Sequence, residues 1–218
     1  MDALTIFKIL VLISALSIGS AAYSDVVTDW NAAALNAIRA NRTPPPIASR
    51  ALAILHASIY DAVNGISRTH EAYLVQSAVP ASASKEAAAS AAAHKVLATL
   101  FPMNAASFDE LNATTLAAIS NGPHKSHGIA WGESVAGRIL ALRVNDRSDA
   151  MIAPPSGSGL GFWQPTPPQF APYLLPQWGV VAPFTMPSSH AFRPPGPPVL
   201  GSATARRVRS CKAMKQSS

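Results

Sequence analysis

Cysteine is almost absent: Cys211 stands alone in 218 residues. An intramolecular disulfide and a cysteine-built metal centre are therefore excluded. Charge is scarce too, at 13% of residues against the quarter usual in globular chains. After Ala22 every apolar run is broken by charge or proline well short of the ~20 residues that cross a bilayer. Carboxylates are missing from 201–218, where Arg206, Arg207, Arg209, Lys212 and Lys215 supply five cations. With these and Lys8 set aside, Tyr23 to Leu200 carries 11 Lys or Arg against 10 Asp or Glu. The net charge of +6 is thus a property of the tail, and no basic face for a nucleic-acid backbone is implied.

What is present is apolar and small. At 49% hydrophobic residues the chain can fill the core of one medium domain. Residues 1–22 combine Lys8, an apolar run from Ile9 to Ile18, and small Ser20 and Ala22 at the minus-three and minus-one places of a cleavage site. That is the pattern of a secretory signal, so a secreted or periplasmic location is expected, with no stable membrane span after its removal. An uncleaved anchor is the alternative, against which the shortness of the run counts.

Five helices are expected. The first, over 25–41, opens on Asp25 or Thr28 as cap and sets Trp30, Ala33, Ala34, Ala37 and Ile38 on one face. Pro44 closes it by pushing the preceding residue out of helical conformation. The second, over 46–64, starts on Pro46, buries Leu52, Leu55, Ile59 and Val63, and stops at Asn64-Gly65. The third, over 83–101, opens on Ser82 or Ser84 and is alanine-rich, with burial expected late from Val96, Leu97, Leu100 and Phe101. The fourth, over 104–120, takes Asn104 as cap with Phe108, Leu111 and Ile119 inward; the fifth, over 123–145, faces Ile129, Val135, Ile139 and Leu142 to the core.

From 150 to 200 the pattern changes. Between Pro154 and Pro198 fall 13 of the 19 prolines, interleaved with aromatics from Phe162 to Phe192. Regular helix has little room there, yet aromatics packed on the bundle would bury large area, so an ordered irregular arm wrapping the helices is expected. Residues 201–218 are expected to form a solvated, disordered tail. The fold class is all-α: a helical bundle with a proline- and aromatic-rich irregular arm, over 23–200.

These stretches also carry a resemblance. Val27-Thr28-Asp29-Trp30-Asn31, the Arg42-Thr43-Pro44-Pro45-Pro46 joint, the run Ala51 to Asn64, Phe162-Trp163-Gln164-Pro165-Thr166-Pro167-Pro168 and Leu175-Pro176-Gln177-Trp178-Gly179 resemble the amino-terminal half of vanadium-dependent haloperoxidase-like proteins, relatives of the type 2 phosphatidic acid phosphatases. The resemblance implies an all-helical fold and, in the complete family, a vanadate or phosphate pocket. That pocket is built from a lysine followed six residues later by Arg-Pro, from Pro-Ser-Gly-His, and from Ser-Arg followed after five residues by His. Cations and backbone amides there hold the oxyanion, while histidines act as ligand or nucleophile and as acid or base.

Neither of the first two motifs is found complete, and the third is met once, by spacing alone. Arg193-Pro194 has Met186 where the lysine belongs, and Ser67-Arg68 lacks its histidine; Ser49-Arg50 does meet the spacing, with His56 after five residues, inside the apolar helical run already read as packing. Pro187-Ser188-Ser189-His190 departs from the second motif by one residue, but the replaced glycine is the one that lets amides approach an oxyanion. His56, Tyr60 and Asp61 read as packing residues rather than an acid/base cluster, and His124 and His127 as a solvated turn rather than a metal pair. Gly157-Ser158-Gly159-Leu160-Gly161 lacks the strand and helix of a phosphate loop. Asn41-Arg42-Thr43 and Asn112-Ala113-Thr114 match glycosylation acceptors, which matter only in a host that uses them.

No catalytic, cofactor-binding or metal residue is therefore assigned, and no cofactor is expected for this chain alone. The expected role is the scaffold half of a secreted haloperoxidase- or acid-phosphatase-like protein, truncated or frameshifted near Gly201 and inactive by itself. Its partner would be a missing carboxy-terminal half or a second copy. The alternative is a small secreted helical protein that binds or scaffolds without catalysis.

Overall fold

The computed structural model describes residues 25–77, 79, 81–153, 157 and 162–196. The expected signal segment over 1–22, the expected disordered tail over 201–218, and residues 154–156, 158–161 and 197–200 of the arm lie outside the described residues. Among those described there are five α-helices and no strand, and no helix is long and apolar enough to cross a membrane. The chain divides into two compact units, Met1–Leu140 and Ala141–Ser218.

Helix α1 spans Val26–Ala40. Its cap is Asp25, whose carboxylate accepts from the Val27 amide at 3.3 Å, and Asp29 lies in the first turn, where the helix dipole favours negative charge. Trp30, Ala34 and Ala37 are buried at three- and four-residue spacing.

Helix α2 runs Pro45–Ser67, three residues beyond the expected stop. Asn64 does not terminate it, because its side chain is spent on the loop: Nδ2 donates to the His70 carbonyl at 2.8 Å, and Oδ1 accepts from the His70 amide at 3.0 Å. Gly65 serves packing instead. A β-carbon there would lie 2.9 Å from Cε2 of Trp131, whose Nε1 donates to the Ala62 carbonyl at 2.9 Å. The left-handed residue that ends α2 is Arg68, at φ 54°. Its buried face is centred on Ile54, Leu55, Ser58, Ile59, Asp61 and Ala62, while the expected Leu52 and Val63 are only half-buried at its margins.

Helix α3, Lys85–Leu100, is the centre of the first unit. Ser84 caps it by accepting from the Ala87 amide. Val96, Leu97 and Phe101 are buried as expected, but the expectation that burial comes only late is corrected, since 87–93 are all buried too. A stripe is not needed when every neighbour can approach a surface of methyl groups, each worth about 0.8 kcal/mol when removed from water. Leu100 is only half-buried.

A 3-10 turn, Pro102–Asn104, leads into α4, Ala105–Ala117. Asn104 does not cap α4 with its side chain, because its Oδ1 accepts from Asn41 Nδ2 at 2.7 Å. Only Phe108 of α4 is buried; Leu111 is half-buried, and Ile119 is half-buried beyond the helix end. Helix α5, Pro123–Arg143, buries Gly128, Trp131, Gly132, Val135, Ala136 and Ile139. Gly128 and Gly132 let its backbone meet α3, since a β-carbon on Gly132 would overlap the Ala88 carbonyl and stand 3.0 Å from the Ala92 nitrogen. Leu142, expected inward, is 47% exposed; the buried stripe passes through Arg143 instead.

The second unit begins in the last turn of α5 and is irregular apart from a 3-10 turn, Pro176–Val180. One polar clasp orders it. Buried Arg143 donates to the Ala182 carbonyl at 2.8 Å and the Pro183 carbonyl at 3.1 Å, and its guanidinium lies 3.7 Å from the Phe184 ring centre. Buried Asp146 stands 3.8 Å from that guanidinium and accepts from the Ser148 amide. The expectation that the arm buries its aromatics is corrected. Phe162, Trp163, Phe170, Tyr173 and Phe192 are exposed, and only Trp178 and Phe184 are half-buried. Prolines deny this segment the amide ladder that would hold successive rings against one surface.

Candidate functional site

The polar residues of α2 are the first place to seek chemistry, because helical spacing sets His56, Tyr60, Asn64 and Ser67 along one side. They are not brought together as a reactive cluster. His56 Nε2 lies 3.1 Å from Asn31 Oδ1, the geometry of an Nε2–H donating to the amide oxygen. Burial lowers the His56 pKa from its ordinary value, so the ring is neutral. Tyr60 donates its hydroxyl to the Glu71 carbonyl at 2.6 Å.

Asp61 points the other way and is fully buried. Its carboxylate accepts from three successive amides, Tyr73 at 2.7 Å and Leu74 and Val75 at 2.8 Å each. A buried carboxylate with both oxygens engaged by backbone donors is a structural clamp: it fixes the loop after α2 and lets Val75 enter the core. Asp61 is thus a packing residue, whereas His56 is half-buried and Tyr60 exposed, each held by one hydrogen bond; the clamp itself is what sequence reasoning missed. Its signal was a carboxylate on a buried helical face with no Lys or Arg three or four residues away.

A groove of about 530 Å³ opens beside this face, bounded by Val27, His56, Ile59, Tyr60, Val63, Asn64, Ser67, Thr69 and His70. No Lys, Arg, Asp or Glu lines it. A smaller hollow of about 250 Å³ beyond it has Arg68, His70 and Glu71 in its wall. The Arg68 guanidinium there donates to the Val79 carbonyl at 2.9 Å.

A second polar cluster joins α1, α3 and α4. Trp30 Nε1 donates to Ser90 Oγ at 3.1 Å, and Ser90 donates to Asn112 Oδ1 at 2.9 Å. His94 Nε2 lies 2.6 Å from Asp109 Oδ1, with its ring edge-on to Trp30. Ser90 is fully buried and its hydroxyl proton is committed to Asn112, so this Ser, His and Asp are not a nucleophilic triad.

The remaining candidates stay apart. His190 is exposed, and its amide donates to Ser188 Oγ at 3.3 Å; Arg193 is exposed in the same turn. His124 and His127 are exposed on the first turns of α5. Of the glycine run only Gly157 is among the described residues. No group of three His, Cys, Asp or Glu that could hold a metal ion occurs among the described residues.

No family model matches the chain, and no curated protein matches it. A solved structure does: the first bacterial vanadium-dependent iodoperoxidase, at 20% identity and a TM-score of 0.68, over 88% of this chain and 51% of that one. The chain has a vanadium-haloperoxidase-like fold. It spans about half the length of the iodoperoxidase. Since residues 1–140 are well under 88% of the sequence, the match extends into the arm.

The residues described do not fit the oxyanion centre that a haloperoxidase-like fold suggests. Such a centre needs several cations and histidines converging on one anion. Here the large groove has two histidines and no cation, and the smaller one sets Glu71 beside Arg68. Arg193 and His190 stand on an exposed turn with Ser189 where a close amide approach would call for glycine.

Proposed function

We propose that this chain is the helical scaffold of a secreted vanadium haloperoxidase-like or acid-phosphatase-like protein, and that by itself it does not turn over substrate. The observation that carries the reading is a match over 88% of the chain to 51% of an iodoperoxidase, in a sequence that lacks the lysine with Arg-Pro and Pro-Ser-Gly-His and meets the third motif only by the spacing of Ser49-Arg50 and His56 along α2, where His56 is bonded to Asn31. Helices capped and packed as described supply a frame; the cations and histidines of a pocket would come from further polypeptide. The apolar run of the leader supports export.

Two experiments test this. Translating the genomic sequence downstream of the Ser218 codon in all frames should show a lysine with Arg-Pro, Pro-Ser-Gly-His and Ser-Arg with its histidine. Their absence would favour a self-contained helical binding protein. Purified chain supplied with orthovanadate, hydrogen peroxide and iodide or bromide should form no hypohalous species. Turnover that disappears in His190→Ala would place activity in the arm and overturn the scaffold reading.

A further inference from the structure

We propose that the groove between the start of α1 and the carboxy-terminal half of α2 binds a neutral aliphatic molecule that carries one hydroxyl group. Its volume of about 530 Å³ falls in the range of small-molecule sites. Val27, Ile59 and Val63 supply an aliphatic floor. No charged side chain lines it, so a carboxylate or an ammonium would lose its hydration without a counter-ion.

The polar groups at the margin both donate and accept, as a hydroxyl does: Ser67 and Thr69 carry hydroxyls, with Thr69 Oγ1 2.8 Å from His70 Nδ1. Asn64 has one bond from each end of its amide to His70. Tyr60 has given its proton to the Glu71 carbonyl and keeps an oxygen lone pair. His56 uses Nε2–H on Asn31, which leaves Nδ1 of the neutral ring as an acceptor. Acceptors on His56 and Tyr60 and hydroxyls on Ser67 and Thr69, beside an aliphatic floor, suit one hydroxyl on a hydrocarbon chain. This inference does not rest on the scaffold reading, and each can fail alone.

The test is an amide chemical-shift titration of the purified full chain with n-octanol, octanoate and octylammonium at about pH 8, where the carboxylate and ammonium are charged. Octanol should bind saturably, with shifts confined to Val27 and 56–70, and the two ions should bind at least about tenfold more weakly. Val63→Trp, which fills the groove, should abolish octanol binding. His56→Gln keeps a donor for Asn31 but removes the Nδ1 acceptor, and should weaken octanol by roughly threefold to tenfold. No saturable octanol binding would overturn the proposal, as would ions binding as tightly as the alcohol or binding unchanged in Val63→Trp. If Val63→Trp does not fold, the alcohol-to-ion ratio and His56→Gln decide. A concentration-dependent dimer abolished by Val63→Trp would mean that a second copy fills the groove, and would also overturn it.

Discussion

The helical unit and the arm pair their backbone groups by opposite means. In 26–140 the amides and carbonyls are paired along the helices, and side chains are left to pack: Trp30 on Ser90, Trp131 on the Ala62 carbonyl, glycines of α5 against α3. In 141–196 proline has removed much of that pairing, and a single guanidinium supplies donors to two consecutive carbonyls. The first arrangement spreads its stability over many small contacts, while the second concentrates it. An error at one residue should therefore cost the arm more order than it costs the helices.

The largest effect should follow from breaking that concentration. Arg143→Ala leaves Asp146 buried without its cation and two carbonyls without donors, a change worth about 3–5 kcal/mol. Hydrogen exchange should show protection lost over 182–184 with far-UV helicity retained; melting of α1 to α4 together with the arm would erase the contrast. Asp61→Ala is the converse, because three amides of 73–75 lose a shared acceptor. It should destabilise the helical unit by about 3 kcal/mol in chemical denaturation while leaving exchange at 182–184 unchanged. Gly132→Ala forces a methyl onto the Ala88 carbonyl and should cost about 1–3 kcal/mol by the same measurement.

The smallest effect is on pH dependence. Burial sets the folded pKa of His56 below its unfolded value, so the unfolded chain takes up protons first as pH falls. Stability is full above the ordinary imidazole value and declines as pH drops through it toward the folded pKa. His56→Gln should flatten that slope between about pH 7 and about pH 5. An unchanged slope would mean that the ring titrates as it does in water.

Residue by residue, the sequence read well where a local rule was sufficient. Asp25 caps α1 and Ser84 caps α3, while α2 starts at Pro45, one residue before the expected Pro46, as chemistry at helix ends allows. It read poorly where partners are distant. Asn64-Gly65 looks like a stop until His70 and Trp131 take up the amide and the empty β-carbon site. The α5 stripe slips from Leu142 to Arg143 because the residue packed there is held by carbonyls 39 and 40 positions away. The alanine helix is the same lesson, since composition alone does not say how many neighbours surround it. At the candidate site the packing role of Asp61 was legible as a type of residue in an apolar stripe, but its three amide partners were not.

Vanadate binding tests the central claim most directly. Equilibrium dialysis of the purified chain against orthovanadate, read by vanadium-51 NMR of the retained fraction, should show no saturable site, because no cations and histidines converge among the described residues. Stoichiometric, saturable binding that is lost in His190→Ala would show that the arm carries its own oxyanion pocket, and would contradict the account of this chain as a scaffold.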